Sequence, residues 1–230
     1  MNNKTLLIKN GHIVNSQEIS KKDIFIKNGK INKIDSNIDL ECDRVIDATG
    51  LYIIPGGIDP QVHFREPGLT HKETIESGAM AAVAGGITTF FEMPNTKPAT
   101  ITKELLNAKF EIASKTSVAN FSFFFGATPD NFEEIEAMEG NCGLKIFMGS
   151  STGDLLVDSD EALDAIFKVC NKIIAVHAED EVILKRSAEI VKGTKPTDHP
   201  AMRPVEAAVT ATQKAINCAV KYNKRYMYYT

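Results

Sequence analysis

The chain of 230 residues has no tryptophan, only four cysteines, and a formal net charge of -4, and the last two each remove a class of function. Cys42, Cys142, Cys170 and Cys218 lie far apart without any C-x-x-C spacing. That excludes a zinc knuckle or a disulfide framework and reads as reduced thiols of a cytoplasmic protein. No apolar run approaches the roughly 20 residues that span a bilayer, and Met1 to Ile8 lacks a signal-peptide pattern. A slightly acidic balance offers nothing to a nucleic acid or an anionic membrane.

What is present is an ordinary soluble composition, 43% hydrophobic and 24% charged, enough for a sizeable core. Residues 1–51 read as a small β module. Asn10-Gly11 and Asn28-Gly29, each between apolar runs, predict turns, and His12 falls beside the first of them. From 52 to 230 the rhythm becomes strand, loop, helix. Thr70 to Glu73 reads as a capping box opening a helix that ends at Gly85-Gly86. Asp130 caps a short helix, and Asp158 or Ser159 caps another. Six strands are counted, the last from Arg225 to Tyr229. Such alternation predicts a parallel sheet with crossover helices, either doubly wound or a (β/α)8 barrel. Polar residues at the carboxyl ends of several strands favour the barrel, which six strands leave incomplete.

The central stretch is Pro55 to Gly68, where Gln61, His63 and Arg65 alternate with apolar residues. On a strand these three share one face, with Ile58, Val62 and Phe64 set against the core. His63 on the first strand and His177 at the end of the fifth are each ordinary structural histidines when taken singly; at one end of a barrel they make a metal pair. Lys145 lies mid-strand between Leu144 and Ile146, where an ammonium is costly. It either snorkels out or carries a depressed pKa that frees its amine to react with carbon dioxide. Arg65 and Asn95 offer donors to a carboxylate, although Arg65 needs no more than an ion pair with Glu66 or Glu92. Gly149 to Gly153 lacks the lysine and spacing of a P-loop and reads as a turn. His71 and His199 read as solvated.

Three motifs in order, Ile58-Asp59-Pro60-Gln61-Val62-His63-Phe64-Arg65-Glu66-Pro67-Gly68, Glu92-Met93-Pro94-Asn95-Thr96 and Gly143-Leu144-Lys145-Ile146-Phe147-Met148, resemble the dihydroorotases of the amidohydrolase superfamily. The resemblance implies a (β/α)8 TIM barrel with a small N-terminal β-sandwich module. It also implies zinc-dependent interconversion of N-carbamoyl-aspartate and dihydroorotate in pyrimidine biosynthesis, hence a small molecule as partner, with room for a homodimer. By the same resemblance His63, Lys145 (carboxylated) and His177 are metal ligands for one or two zinc ions, and Arg65 and Asn95 hold the substrate carboxylate. The metals acidify a water and polarise the amide carbonyl.

Two positions depart from the pattern. Gln61 stands where the first histidine of H-x-H belongs, and an amide oxygen is a poorer zinc ligand than imidazole; some dihydroorotases share this D-Q-V-H-F-R-E-P-G form. The sixth strand reads Arg225-Tyr226-Met227-Tyr228-Tyr229-Thr230 where the family reads R-L-H-x-L-H, a change that one deleted base would produce. With the strand-six histidine and the strand-eight aspartate unmatched, no catalytic proton carrier is assigned. The 230-residue product is expected to be inactive. Two alternatives stand beside it: a non-enzymatic scaffold, and an allantoinase or hydantoinase activity.

Overall fold

A computed structural model describes residues 4–149, 155–193 and 195–229. The chain divides into two units, Met1–Gly56 and Gly57–Thr230.

The first unit is one mixed sheet, rather than the facing sheets of a sandwich: β1 (Thr5–Val14), β2 (Ile19–Lys27), β3 (Lys30–Asp35), β4 (Arg44–Asp47) and β5 (Tyr52–Ile53). Its order is β3-β2-β1-β4, with β5 following β4 along the same edge of β1. Asn28 and Gly29, at φ 53° and 73°, form the expected two-residue hairpin between paired Lys27 and Lys30. Asn10-Gly11 does not turn. Asn10 sits at φ 63° in a bulge of a continuous strand, its N–H donating to buried Asp23 Oδ1 at 2.8 Å. The long partner β2 pairs on both sides of the bulge and overrides the local turn signal. His12 is therefore a strand residue, its ring 5.6 Å from that of Tyr52.

The second unit runs β6 (Gly57–Val62), α1 (Ile75–Ala84), β7 (Ile87–Glu92), α2 (Lys103–Thr116), β8 (Asn120–Gly126), α3 (Phe132–Ala137), β9 (Gly143–Phe147), α4 (Asp160–Val169), β10 (Ile174–His177), α5 (Glu181–Val191), α6 (His199–Met202), α7 (Val205–Tyr222) and β11 (Tyr226–Tyr229). All six strands are parallel and neighbour one another in chain order, β6 to β11. A doubly wound sheet reverses its strand order at a switch point. This one never does, so it is a curled parallel half-barrel. Alternate residues face opposite ways. Phe90, Phe123, Phe125, Leu144, Ile146 and Val176 join the large core that also takes in buried residues of α1, α2, α4 and α7, whereas Met93, Phe124, Ala175, Met227 and Tyr229 form a separate inner cluster. Tyr229 donates its hydroxyl to Pro60 O at 3.3 Å, tying the last strand to the first.

Helix α1 starts later than the sequence suggests. Thr74, not Thr70, is the cap, bonding Ser77 N–H at 3.1 Å, while Ser77 Oγ accepts from Thr74 N–H at 3.3 Å. Glu66 Oε2 accepts the N–H of Ile75 at 2.7 Å, so a carboxylate fixes the first turn from outside the helix. Thr74→Ala is expected to cost about 1 kcal/mol in urea unfolding; no change in the midpoint would show that Glu66 alone suffices. Asn131 rather than Asp130 precedes α3, and Ser159 caps α4 through Ala162 N–H. Most of Gly149 to Gly153 lies outside the described residues.

Candidate functional site

Strand β6 ends at Val62, so Gln61, His63 and Arg65 are not a row on one strand. The pairing with β7 slips between Asp59 and Val62, where Gln61 N–H donates to Asp59 Oδ1 at 3.0 Å. Beyond it Arg65 lies at φ 79°, a left-handed conformation unusual for a residue with a side chain. Ile58 is 61% exposed and contributes no buried face. The segment His63 to Gly68 is instead a loop. Gly68, at φ 85°, meets the Lys97 carbonyl so closely that no Cβ fits, and Lys97 N–H donates to Pro67 O at 3.0 Å.

The loop is held by the end of β7. Asn95 is buried, and its Oδ1 lies 2.8 Å from His63 Nδ1. An amide oxygen can only accept, so Nδ1 carries the proton and Nε2 keeps its lone pair. Arg65 Nη1 donates to the Asn95 carbonyl at 2.9 Å, and Arg65 N–H donates to Glu92 Oε1 at 3.0 Å. The ion pair of Arg65 with Glu66 or Glu92 is thus absent; Glu92 pairs instead with Lys109 of α2, both fully buried. Lys109 also donates to Met93 O at 3.0 Å and stands 4.9 Å from the Phe123 ring centre. Burial pushes Glu92 up and Lys109 down, each toward its neutral form, against their mutual attraction.

Lys145 projects from β9 into the inside of the arc. It is 1% exposed, yet its amine makes no hydrogen bond or ion pair with any described residue. Its company is aromatic: Phe147 at 5.0 Å and Tyr229 at 4.6 Å from Nζ. Desolvation lowers its pKa from 10.5 to about 7. The snorkelling alternative does not hold. His177 ends β10 and bonds Glu179 Oε2 through Nε2 at 2.8 Å. Since a carboxylate accepts, Nε2 bears a proton and Nδ1 is the ring nitrogen left to face a ligand. Burial would raise the Glu179 carboxyl, but bonds from Arg203 and His177 outweigh it and hold the pKa low. For His63, burial lowers the pKa first, Asn95 opposes, and the charges of Arg65 and Lys145 lower it further.

No cluster of three or more His, Cys, Asp or Glu able to hold a metal occurs among the described residues. The donor set differs from such a cluster in kind: two imidazole lone pairs and one buried amine lacking a polar partner. That set suits a metal if the amine is carboxylated, because the lysine then supplies an anionic oxygen. Gln61 adds only a neutral amide. Beside Arg65 a cavity of about 490 Å³ is lined by Asn95, Lys97, Leu69, Ile101, Leu105 and Leu155 among others. A larger cleft of about 860 Å³ in the first unit, bordered by Lys4, Asp43 and Arg44, holds none of these groups, so chemistry rather than size selects the site.

The sequence reading did not single out Lys109, Glu179 or Tyr229. One signal was available: Leu106, Lys109 and Ala113 share the buried stripe of α2, and a charge on such a stripe needs a partner. No helix among the described residues is long and apolar enough to cross a membrane.

Residues 52–226 match the Amidohydrolase family. The chain is 36% identical over 224 residues to an allantoinase of Bacillus velezensis, covering 93% of this chain and 49% of that protein. It is 37% identical over 216 residues to a dihydroorotase of Methanosarcina acetivorans, covering 91% and 46%. The structure superposes on the L-hydantoinase (dihydropyrimidinase) of Arthrobacter aurescens with a TM-score of 0.93 and 32% identity, over 97% of this chain and 52% of that one. The chain therefore spans about half the length of the relatives it matches. A half-barrel with His63 after its first strand, a buried lysine on its fourth and His177 ending its fifth, matched along most of its length by these hydrolases, belongs to the amidohydrolase family.

Proposed function

We propose that this chain carries the metal- and carboxylate-binding half of a cyclic amidohydrolase of the dihydroorotase type. The observation that carries it is Lys145, a buried amine near neutrality with no acceptor and no counter-charge among the described residues. A purely structural core would place an apolar residue there. His63 through Nε2, carboxylated Lys145 and His177 through Nδ1 would hold zinc, with Gln61 a weak addition. When bound, zinc would lower the pKa of water and polarise an amide carbonyl. The chain's own residues bind and orient. Arg65 has one guanidinium nitrogen committed to the Asn95 carbonyl and spends its other donors on the substrate carboxylate, aided by the Asn95 amide. Asn95 and Glu179 each fix one imidazole so that its lone pair is presented. No residue is assigned to proton transfer.

The substrate pair proposed is dihydroorotate and N-carbamoyl-aspartate, because Arg65 and Asn95 are suited to a carboxylate. The test is to titrate the purified chain, with zinc and bicarbonate present, with N-carbamoyl-aspartate and separately with allantoin and hydantoin. Zinc bound at about one per chain and preference for the carbamoyl amino acid are expected. Preference for allantoin or hydantoin would move the assignment to the other named relatives. Zinc at background level would overturn the metal site and favour the scaffold reading.

A further inference from the structure

We infer that Glu92, paired with Lys109 in the core, is a positioning residue that holds the His63–Gly68 loop in its binding geometry. The inference rests on the proposed reading only for what the loop binds.

Both carboxylate oxygens are committed. One faces Lys109 Nζ as a buried ion pair; the other accepts the Arg65 N–H at 3.0 Å. That amide belongs to the residue at φ 79°, a conformation an L-residue keeps only when its surroundings enforce it. A charge-assisted bond to that very amide is such an enforcement. Holding Arg65 there lets its guanidinium reach back to the Asn95 carbonyl, whose side chain meets His63. One carboxylate under the loop thus fixes an imidazole and a guanidinium that it never touches. Lys109 has a second link to the same place, through Met93 O, which anchors the chain just before Asn95. A pair needed only for the core would leave this amide to water; here the core pair reaches the loop.

The test uses the full chain and two double variants that both remove the buried charges. Glu92→Gln with Lys109→Met keeps an acceptor for Arg65 N–H; Glu92→Leu with Lys109→Met does not. Amide exchange by NMR should show Arg65 protected in the unaltered chain and in the Gln-bearing double. In the Leu-bearing double Arg65 should exchange about tenfold or more faster. Titrated zinc should bind about tenfold more weakly in that double alone. An unprotected Arg65 amide in the unaltered chain overturns the inference without any variant. So do two doubles that exchange alike at Arg65. If the exchange rates divide as expected while no chain binds zinc, the positioning role stands and the metal reading fails.

Discussion

Lys145→Met is expected to raise the stability of the metal-free chain at pH 7 by roughly 4 kcal/mol and to abolish zinc binding. The two effects share one cause. An unfolded lysine titrates near its ordinary 10.5, whereas the buried amine titrates near 7, so the folded state holds its proton less tightly. The cost is therefore full below about pH 7 and fades as pH climbs through 10.5, where both states are neutral. Methionine fills a similar volume with no charge to desolvate and removes that cost. The gain over the unaltered chain should shrink to nothing near pH 10.5. Urea unfolding with a chelator present, at pH 7 and pH 10, measures it. Equal stability at pH 7 would mean the amine has a partner and would remove the reason to assign it a function.

Lys109→Met should act in the opposite direction, costing about 3–5 kcal/mol, since it strands the Glu92 carboxylate in the core. The sign with pH follows from the raised Glu92 pKa. A folded state that holds the proton more tightly than the unfolded one gains stability as pH falls. The variant should accordingly recover toward acid pH, as the carboxyl protonates. A loss below about 1 kcal/mol at pH 7 would show that the two groups sit in the core as neutral amine and neutral carboxyl. Two buried lysines in one sheet-and-helix unit thus predict opposite outcomes for the same substitution. The difference is that one has a carboxylate and the other only aromatic rings.

The strands of the second unit, their parallel sense and the positions of His63, Asn95 and His177 at or just after strand ends were legible because apolar runs and turn residues are local signals. The loop after Val62 was not. Arg65 departs from the strand pattern because of a carboxylate 27 positions away, and no periodicity reports such a bond. The start of α1 was misplaced for a related reason: Thr70 to Glu73 and Thr74 to Ser77 look alike as caps, and Glu66 chooses between them. In the first unit Asn10-Gly11 and Asn28-Gly29 are the same dipeptide in different roles. The length of the pairing strand separates bulge from hairpin.

The bond from Tyr229 to Pro60 also bears on how the chain finds this shape. Along the sheet, neighbouring strands are joined by short excursions; Ile58 meets Thr89 and Thr89 meets Asn120. Each new strand can dock on the last as synthesis proceeds from the N-terminus. The phenol bond spans 169 positions. Closing so long a loop directly costs roughly 1.5 kcal/mol more than closing one of about 30 residues. That is as much as a neutral hydrogen bond returns. The bond therefore cannot nucleate the arc. It forms when stepwise addition has already brought the two edges together, and it records that the curvature was set strand by strand.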